Sequence, residues 1–242
     1  TVADLAGTDT NLRTDVAWRG RDEHGPFATT AAFVARQYQD FVGQAPTAAE
    51  ASASAARLTG GIDSACSAID DWAHGTFDDR RGPVTRLYWA FFKRLPDLGG
   101  STYWVAKNTA GMNLNSIANY FAQSSEFQNT YGDATDAAYV ALVYANVLDR
   151  APDAAGTACW VAQLGGGLPR GQMMVGFSES NEGKRLRRGV VDAVLLHLGM
   201  LHRLPTADEV DAIVAQLAAD GGTPTELVVL DLLTSGAYAA GL

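Results

Sequence analysis

The side chains best suited to chemistry in this sequence lie in one short stretch, KRLPDLGGSTYW, at Lys93–Trp104. It combines basic residues, a carboxylate, two glycines and two aromatics, which are the components of a calcium loop or of a sugar-binding surface. A second version, DRAPDAAGTACW, occupies Asp149–Trp160. An EF-hand loop needs further oxygen ligands and a glutamate at its twelfth position, and neither stretch supplies them. For Asp97 and Asp153 we therefore favour helix caps over metal ligands.

Both stretches belong to a longer repeat that is marked by four prolines. The prolines are spaced 50, 56 and 53 residues apart, at Pro46, Pro96, Pro152 and Pro205. Apolar residues recur at intervals of three and four before each proline, which indicates an amphipathic helix. No stretch alternates apolar and polar residues as a half-buried strand would. The pattern predicts an all-α protein of tandem helical repeats, with four units of about 50 residues and roughly three helices each.

A helix-capping residue follows each proline and predicts the start of a second helix. The four predicted caps are Thr47, Asp97, Asp153 and Thr206. Their side-chain oxygens can accept from the unpaired N–H groups of the first helical turn. Aligning the copies on their prolines places Tyr38, Tyr88, Tyr144 and His197 in one row of the first helix. This row lies on the apolar stripe, so we predict that it belongs to the core. Core packing is also the favoured role of Trp104 and Trp160.

The repeat defines the predicted organisation of the chain. Residues 1–27 are an N-terminal arm or linker, and the repeats occupy 28–81, 82–133, 134–188 and 189–242. The first and fourth repeats are degenerate, because they lack the tryptophan, the aspartate after the proline and the following glycine. We expect joints at 74–82, 128–135 and 182–189. A chain that begins at Thr1 is expected to be a processed protein or an excised domain.

Composition excludes several classes of function. The net charge of −9 argues against a nucleic-acid partner, because such binding needs clustered Lys and Arg. No run approaches 18 apolar residues, so no membrane span is expected. Two cysteines without a CxxC pair exclude a cysteine-built zinc site and a disulfide-dense scaffold. A disulfide between Cys66 and Cys159 and two buried thiols both remain open. No cofactor is expected, and calcium has no ligand motif.

The second copy resembles a known bacterial repeat. Its pattern is Arg-x-Pro-Asp-x-x-Gly-x-x-Tyr-Trp, then a glycine, then a helix that ends Phe-x-x-Ser-x-Glu-Phe. The pattern consists of Arg94, Pro96, Asp97, Gly100, Tyr103, Trp104, Gly111, Phe121, Ser124, Glu126 and Phe127. The third copy keeps most of these residues but has Cys159 in place of the tyrosine. Residues 83–183 thus resemble the family catalogued as domain of unknown function 4214.

This resemblance implies a cellular location and a general type of function. The family occurs in secreted and surface-attached bacterial proteins, often beside adhesion or calcium-binding modules. It is also similar to the helical domain that anchors some surface layers to cell-surface polysaccharide. The resemblance therefore implies a non-catalytic binding or anchoring module, extracellular or at the cell surface, whose partner is an envelope polysaccharide or a protein.

The candidate ligand contacts are side chains of the repeated corner and of the helices beside it. They are Arg94, Tyr103, Asn108, Asn115, Asn119, Gln123 and Arg150. No catalytic residue is predicted, since Gly176-Phe177-Ser178 lacks the final glycine and the preceding strand of a nucleophile elbow. Two alternatives stay open. A helical carbohydrate-active hydrolase needs two carboxylates about 5–10 Å apart across a cleft. A purely structural spacer beside a catalytic domain predicts no saturable glycan binding.

Overall fold

A computed structural model of the protein describes residues 26–60, 65–132, 134–219 and 226–241. Every regular element in these ranges is a helix, and the predicted all-α fold is confirmed. Within the same ranges, no helix has the length and hydropathy needed to cross a bilayer. The predicted N-terminal arm at 1–27 lies almost entirely outside the described residues. The predicted number of repeats remains a prediction.

The helices follow one another through short connections. In chain order they are α1 (Thr30–Gln37), α2 (Ala48–Thr59), α3 (Ala65–Trp72), α4 (Asp78–Phe92), α5 (Leu98–Thr109), α6 (Leu114–Ala122), α7 (Ser125–Tyr131), α8 (Asp136–Leu148), α9 (Ala154–Gly165), α10 (Arg170–Ser178), α11 (Asn181–Leu186), α12 (Arg188–Met200), α13 (Ala207–Ala219), α14 (Glu226–Leu233) and α15 (Gly236–Ala240). Turns of π-helix at Tyr38–Val42 and Ala73–Phe77 extend α1 and α3.

Two features of this order differ from the sequence prediction. Where the third helix of a repeat was expected to close, Ser124, Ser180 and Ser235 cap a further short helix, namely α7, α11 or α15. The expected joint at 74–82 is also largely helical, because α4 already begins at Asp78 and contains Pro83. The backbone departs from helical geometry at Gly75, where φ is −87° and ψ is −135°.

Every proline corner contains a residue in the left-handed region three positions before the proline. The φ angles are 82° at Gly43, 53° at Lys93, 53° at Asp149 and 54° at His202. Such a residue ends a helix by turning its following N–H groups back to the last carbonyls. Only the first copy has glycine at this position. In the other three copies the left-handed conformation of a residue with a Cβ costs about 1 kcal/mol of free energy.

The chain divides into two compact units. The second unit comprises Arg80–Val191, which includes most of the predicted second and third repeats. Its core is formed by residues such as Leu87, Phe91, Ile117, Phe121, Tyr139, Val143, Met173 and Phe177. Helices α6 and α10 pack closely, since a Cβ added to Gly171 would lie 2.8 Å from the carbonyl carbon of Ala118.

The first unit combines the two ends of the described chain, up to Asp79 and from Asp192. The first repeat thus packs against the fourth, although they are farthest apart in sequence. The amide of Gln37 donates to the hydroxyl of Tyr238 at 2.8 Å, and both residues are buried. The ring of Phe41 lies directly on Gly199, where an added Cβ would clash with Phe41 Cε1. These contacts unite degenerate repeats that lack the tryptophan corner of the middle copies.

Candidate functional site

All four predicted capping side chains make hydrogen bonds at the starts of their helices. Asp97 Oδ1 accepts from Gly100 N at 2.8 Å, and Asp153 Oδ1 accepts from Gly156 N at 2.7 Å. Thr47 and Thr206 accept from the backbone N–H three residues on, and the carboxylates of the glutamates there accept from the threonine N–H. Among the described residues there is no cluster of three or more His, Cys, Asp or Glu arranged for a metal ion.

The glycine of the corner provides room for a tyrosine of the preceding helix. A Cβ on Gly100 would lie 2.4 Å from the hydroxyl oxygen of Tyr88, and one on Gly156 would lie 2.7 Å from that of Tyr144. Tyr88 and Tyr144 are 6% and 7% exposed, as the predicted core row requires. In the fourth copy His197 replaces the tyrosine and lies 3.6 Å from a carboxylate oxygen of Glu209, which replaces the glycine. The residues at these two positions are thus packing partners.

The two candidate arginines are held in ion pairs of their own repeats. Arg94 makes two bonds of 2.8 Å to Glu126, and Arg150 makes bonds of 2.9 and 3.2 Å to Glu182. These bonds lower the pKa of both glutamates below the usual value. Each guanidinium also lies over the tyrosine of its own repeat. The arginines therefore stabilise the corner, and a ligand would have to compete with a bidentate carboxylate.

The candidate amides divide into two groups. Asn108 donates to Met112 O at 2.9 Å and so closes the turn between α5 and α6. Asn119 packs against α10, because its Oδ1 is 2.8 Å from the Cβ position of Gly171. Asn115 and Gln123, in contrast, are exposed at the two ends of α6. Only these last two remain available to a ligand without rearrangement.

Three aromatic residues of the second unit form a continuous surface, which we call the aromatic surface. It consists of Tyr103 and Trp104 on α5 and Tyr120 on α6. The rings of Tyr103 and Trp104 are 4.9 Å apart, and those of Trp104 and Tyr120 are 5.7 Å apart. Trp104 packs on Phe121 of the core, whereas Tyr103 and Tyr120 are 53% and 58% exposed. The tryptophan thus anchors two tyrosines that are each more than half exposed.

Tyr120 was missed by the sequence analysis, because it follows the same apolar pattern in α6 as Ile117 and Phe121. The internal alignment contained a signal against a core position for it. The second and third copies align without a gap at an offset of 56 residues, which places Gly176 opposite Tyr120. A position that is glycine in a sister repeat does not fill the core. The predicted core role of Trp104 and Trp160 is partly correct, since both are half-buried against it.

The third copy has the tryptophan that packs on the core but lacks the two neighbouring tyrosines. Trp160 packs on Phe177 with ring centroids 5.1 Å apart, as Trp104 does on Phe121. The tyrosine positions are occupied by Cys159 and Gly176. Cys66 lies in the first unit and Cys159 in the second, and the disulfide that the sequence left open stays a prediction. The alternative of two buried thiols holds for Cys66 alone, because Cys159 is exposed on α9.

A partly buried histidine of the first unit lies between two carboxylates. His74 Nε2 lies 3.0 Å from Asp192 Oδ1, and His74 Nδ1 lies 3.1 Å from Asp70 Oδ1. Asp192 is only 2% exposed. Hydrogen bonds to Asp192 and then to Asp70 raise the pKa of His74 to about 10. An imidazole that stays protonated at neutral pH is a poor general base, so this cluster is suited to holding α3 against α12.

This histidine makes stability depend on pH. Its folded pKa is raised above 6.5, so its stabilisation is complete below pH 6.5 and is lost as the pH rises towards 10. We expect the free energy of unfolding to fall by about 2 kcal/mol over that interval, allowing for partial solvent screening. Urea unfolding at several pH values measures this fall. His74→Gln should be less stable at pH 6.5 and should lack the fall, whereas an equal slope in both proteins would contradict the assignment.

The fold makes this molecule an all-α protein, and its second unit carries an exposed aromatic patch on α5 and α6. A family model described as "Domain of unknown function (DUF4214)" matches residues 118–187. The match extends from within α6 to the end of α11, so this segment is similar to that family. Residues 83–117, with the first complete corner, lie outside the match. No curated protein and no solved structure matches the chain.

Proposed function

We propose that this chain is a non-catalytic binding module that recognises a polysaccharide of the cell envelope, outside the cell or at its surface. The observation that carries the proposal is the aromatic surface of Tyr103, Trp104 and Tyr120. Pyranose rings present flat faces of C–H groups, and these pack on exposed aromatic rings. The exposed amides of Asn115 and Gln123 add donors and acceptors for sugar hydroxyls.

The arrangement of these rings favours a ligand over simple surface variation. Large aromatic side chains that are exposed together on one surface are typical of a contact site for a partner. Tyrosine and tryptophan also supply much contact area with few rotatable bonds, so they lose little entropy on binding. Lys107, whose amine lies 5.4 Å from the Tyr103 ring centre, adds a cationic donor at the edge.

The first test removes the aromatic surface. We expect the chain to bind saturably to a member of an array of bacterial polysaccharides, and Tyr103→Ala/Tyr120→Ala to weaken that binding more than about tenfold. Val214→Ala is the matched control, because Val214 is an exposed apolar residue of the first unit. Binding should be equal with calcium and with chelator. Absence of any saturable binding would favour the structural spacer over this proposal.

The third copy allows the complementary test of building a second surface. A Cβ on Gly176 would meet only Trp160 Cη2, at 4.0 Å, and Cys159 is exposed. Cys159→Tyr/Gly176→Tyr therefore adds two tyrosines beside Trp160, and the Gly176 backbone has room for the new Cβ. We expect this variant to bind two equivalents of the retained glycan by calorimetry, against one for the parent chain. An unchanged stoichiometry would mean that aromatic rings at these positions do not suffice for binding.

The pocket described in the first unit does not favour the alternative of a helical hydrolase. A cavity of about 130 Å³ in the first unit is lined by Ser54, Arg57, Leu58, Ala68, Asp71 and Trp72. Its lining contains a single carboxylate, that of Asp71, whereas glycoside hydrolysis uses two. Release of reducing ends from the retained polysaccharide would nevertheless decide for the hydrolase.

A further inference from the structure

We propose that Trp89, Lys93 and Arg187 form a binding site for one carboxylate of an acidic sugar, which we call the Trp89 site. All three residues belong to the second unit. The Lys93 amine and the Arg187 guanidinium lie 5.6 and 5.4 Å from the centre of the Trp89 ring. Two cations thus meet at one indole in a chain whose net charge is −9. The inference deepens the proposed function by giving its ligand an acidic group.

The main argument for a bound oxyanion is that the Trp89 site contains more hydrogen-bond donors than acceptors. Trp89 Nε1 and Arg187 Nε are buried and make no hydrogen bond in the structure. An unpaired N–H group in such a place is destabilising, because it has lost its hydrogen bonds to water without gaining one in the protein. A carboxylate has two oxygens with about four acceptor positions, which is enough for both donors and the Lys93 amine. Charge assistance from the two cations makes these bonds stronger than neutral ones.

The local charges fit a single negative group. Arg187 Nη2 is paired with Asp149 Oδ2 at 2.5 Å and also donates to Val147 O at 3.3 Å. Lys93 donates to Asn146 O, a neutral carbonyl, at 2.9 Å. Two cations and one carboxylate leave one positive charge, which one ligand carboxylate would neutralise. Burial and the charge of Arg187 lower the pKa of Lys93, and a bound anion would relieve this effect.

Access to the two buried donors depends on Lys93. Lys93 is exposed, and its amine lies over the Trp89 ring, so rotation of its flexible side chain can open the Trp89 site. The site is absent from the third copy, in which Ala145 and Asp149 occupy the positions of Trp89 and Lys93. It is assembled between the first helix of one repeat and the end of the next, and is therefore particular to this pair of repeats.

Nuclear magnetic resonance of the indole N–H groups tests the site directly in the full chain. We expect sodium glucuronate to shift the Trp89 Nε1–H signal saturably, while glucose leaves it unchanged; Trp89→Phe identifies the signal. Lys93→Asn should weaken the effect about tenfold, because one charge-assisted bond is lost. Asparagine tolerates the left-handed backbone at this position, so the fold is kept. Lys184→Asn, which removes an equal charge elsewhere, should bind glucuronate as the parent does.

Each outcome decides a separate point. No shift with glucuronate would overturn the Trp89 site, because the two donors would then be satisfied by water alone. A response to acetate as strong as that to glucuronate would overturn the assignment to a sugar acid and leave a site for small carboxylates. The readout does not involve Tyr103 or Tyr120. A Trp89 shift without polysaccharide binding on the array would therefore reject the proposed function and keep the site.

Discussion

Arg86→Met is expected to lower the free energy of unfolding of the second unit by about 3 kcal/mol. Arg86 is 8% exposed and makes two bonds of 2.8 Å to the carboxylate of Glu179. Without the guanidinium this carboxylate stays largely buried, and the nearest remaining cation, Lys184, is 3.5 Å away. A buried charge that has lost its partner retains its desolvation penalty. Urea unfolding, combined with hydrogen exchange of the helices in Arg80–Val191, measures the loss.

Two further variants separate the burial of charge from the loss of contacts. Arg86→Met/Glu179→Met should recover most of the stability, because both charges are gone and apolar groups fill the space. Arg94→Met should cost less than about 1 kcal/mol, since the Arg94–Glu126 pair is close to half exposed on both sides and screened by water. Equal losses from Arg86→Met and Arg94→Met would contradict the importance of burial.

Gly171→Ala is expected to destabilise the second unit by about 2–3 kcal/mol. The new Cβ would lie 2.8 and 2.9 Å from the backbone carbon and oxygen of Ala118, where α6 crosses α10. Backbone atoms of a packed helix cannot rotate away as the end of a side chain can, so the two helices must separate. Thermal unfolding of the full chain, followed by circular dichroism and by hydrogen exchange in α6 and α10, measures this effect.

The same helix provides the control for this substitution. Gly176 also lies in α10, but a Cβ there would meet only Trp160 at 4.0 Å. Gly176→Ala should therefore stabilise the protein by about 0.5–1 kcal/mol, because alanine loses less backbone entropy in a helix than glycine. If both alanine variants raised stability, the contact between α6 and α10 would be looser than the structure indicates.

The repeated corner could be predicted from sequence because its causes are local. A threonine or aspartate directly after Pro46, Pro96, Pro152 or Pro205 caps a helix through atoms only three residues away. The apolar stripes before the prolines have the period of a helix whatever they pack against. For the same reason the all-α fold and the burial of Tyr88, Tyr144 and His197 follow from residue types and spacing alone. Tyr38, the fourth member of the predicted core row, is only half-buried.

The aromatic surface and the Trp89 site could not be predicted, because both depend on which helix faces come together. Tyr120 has the helical phase of a core residue, and its exposure follows from the way α6 packs on α10 at Ala118 and Gly171. Arg187 is 98 positions from Trp89 in the chain, and no local pattern links them.

The sequence by itself determined the helices, their caps and the corner that each repeat shares. The tertiary structure decided which repeats pair, and it set the first against the fourth through contacts such as that of Gln37 with Tyr238. It also decided which side chains remain exposed for a ligand. The physical reason is the separation along the chain over which each effect acts. Caps and helical periodicity involve residues a few positions apart, whereas burial and charge pairing depend on segments that meet only in the folded chain.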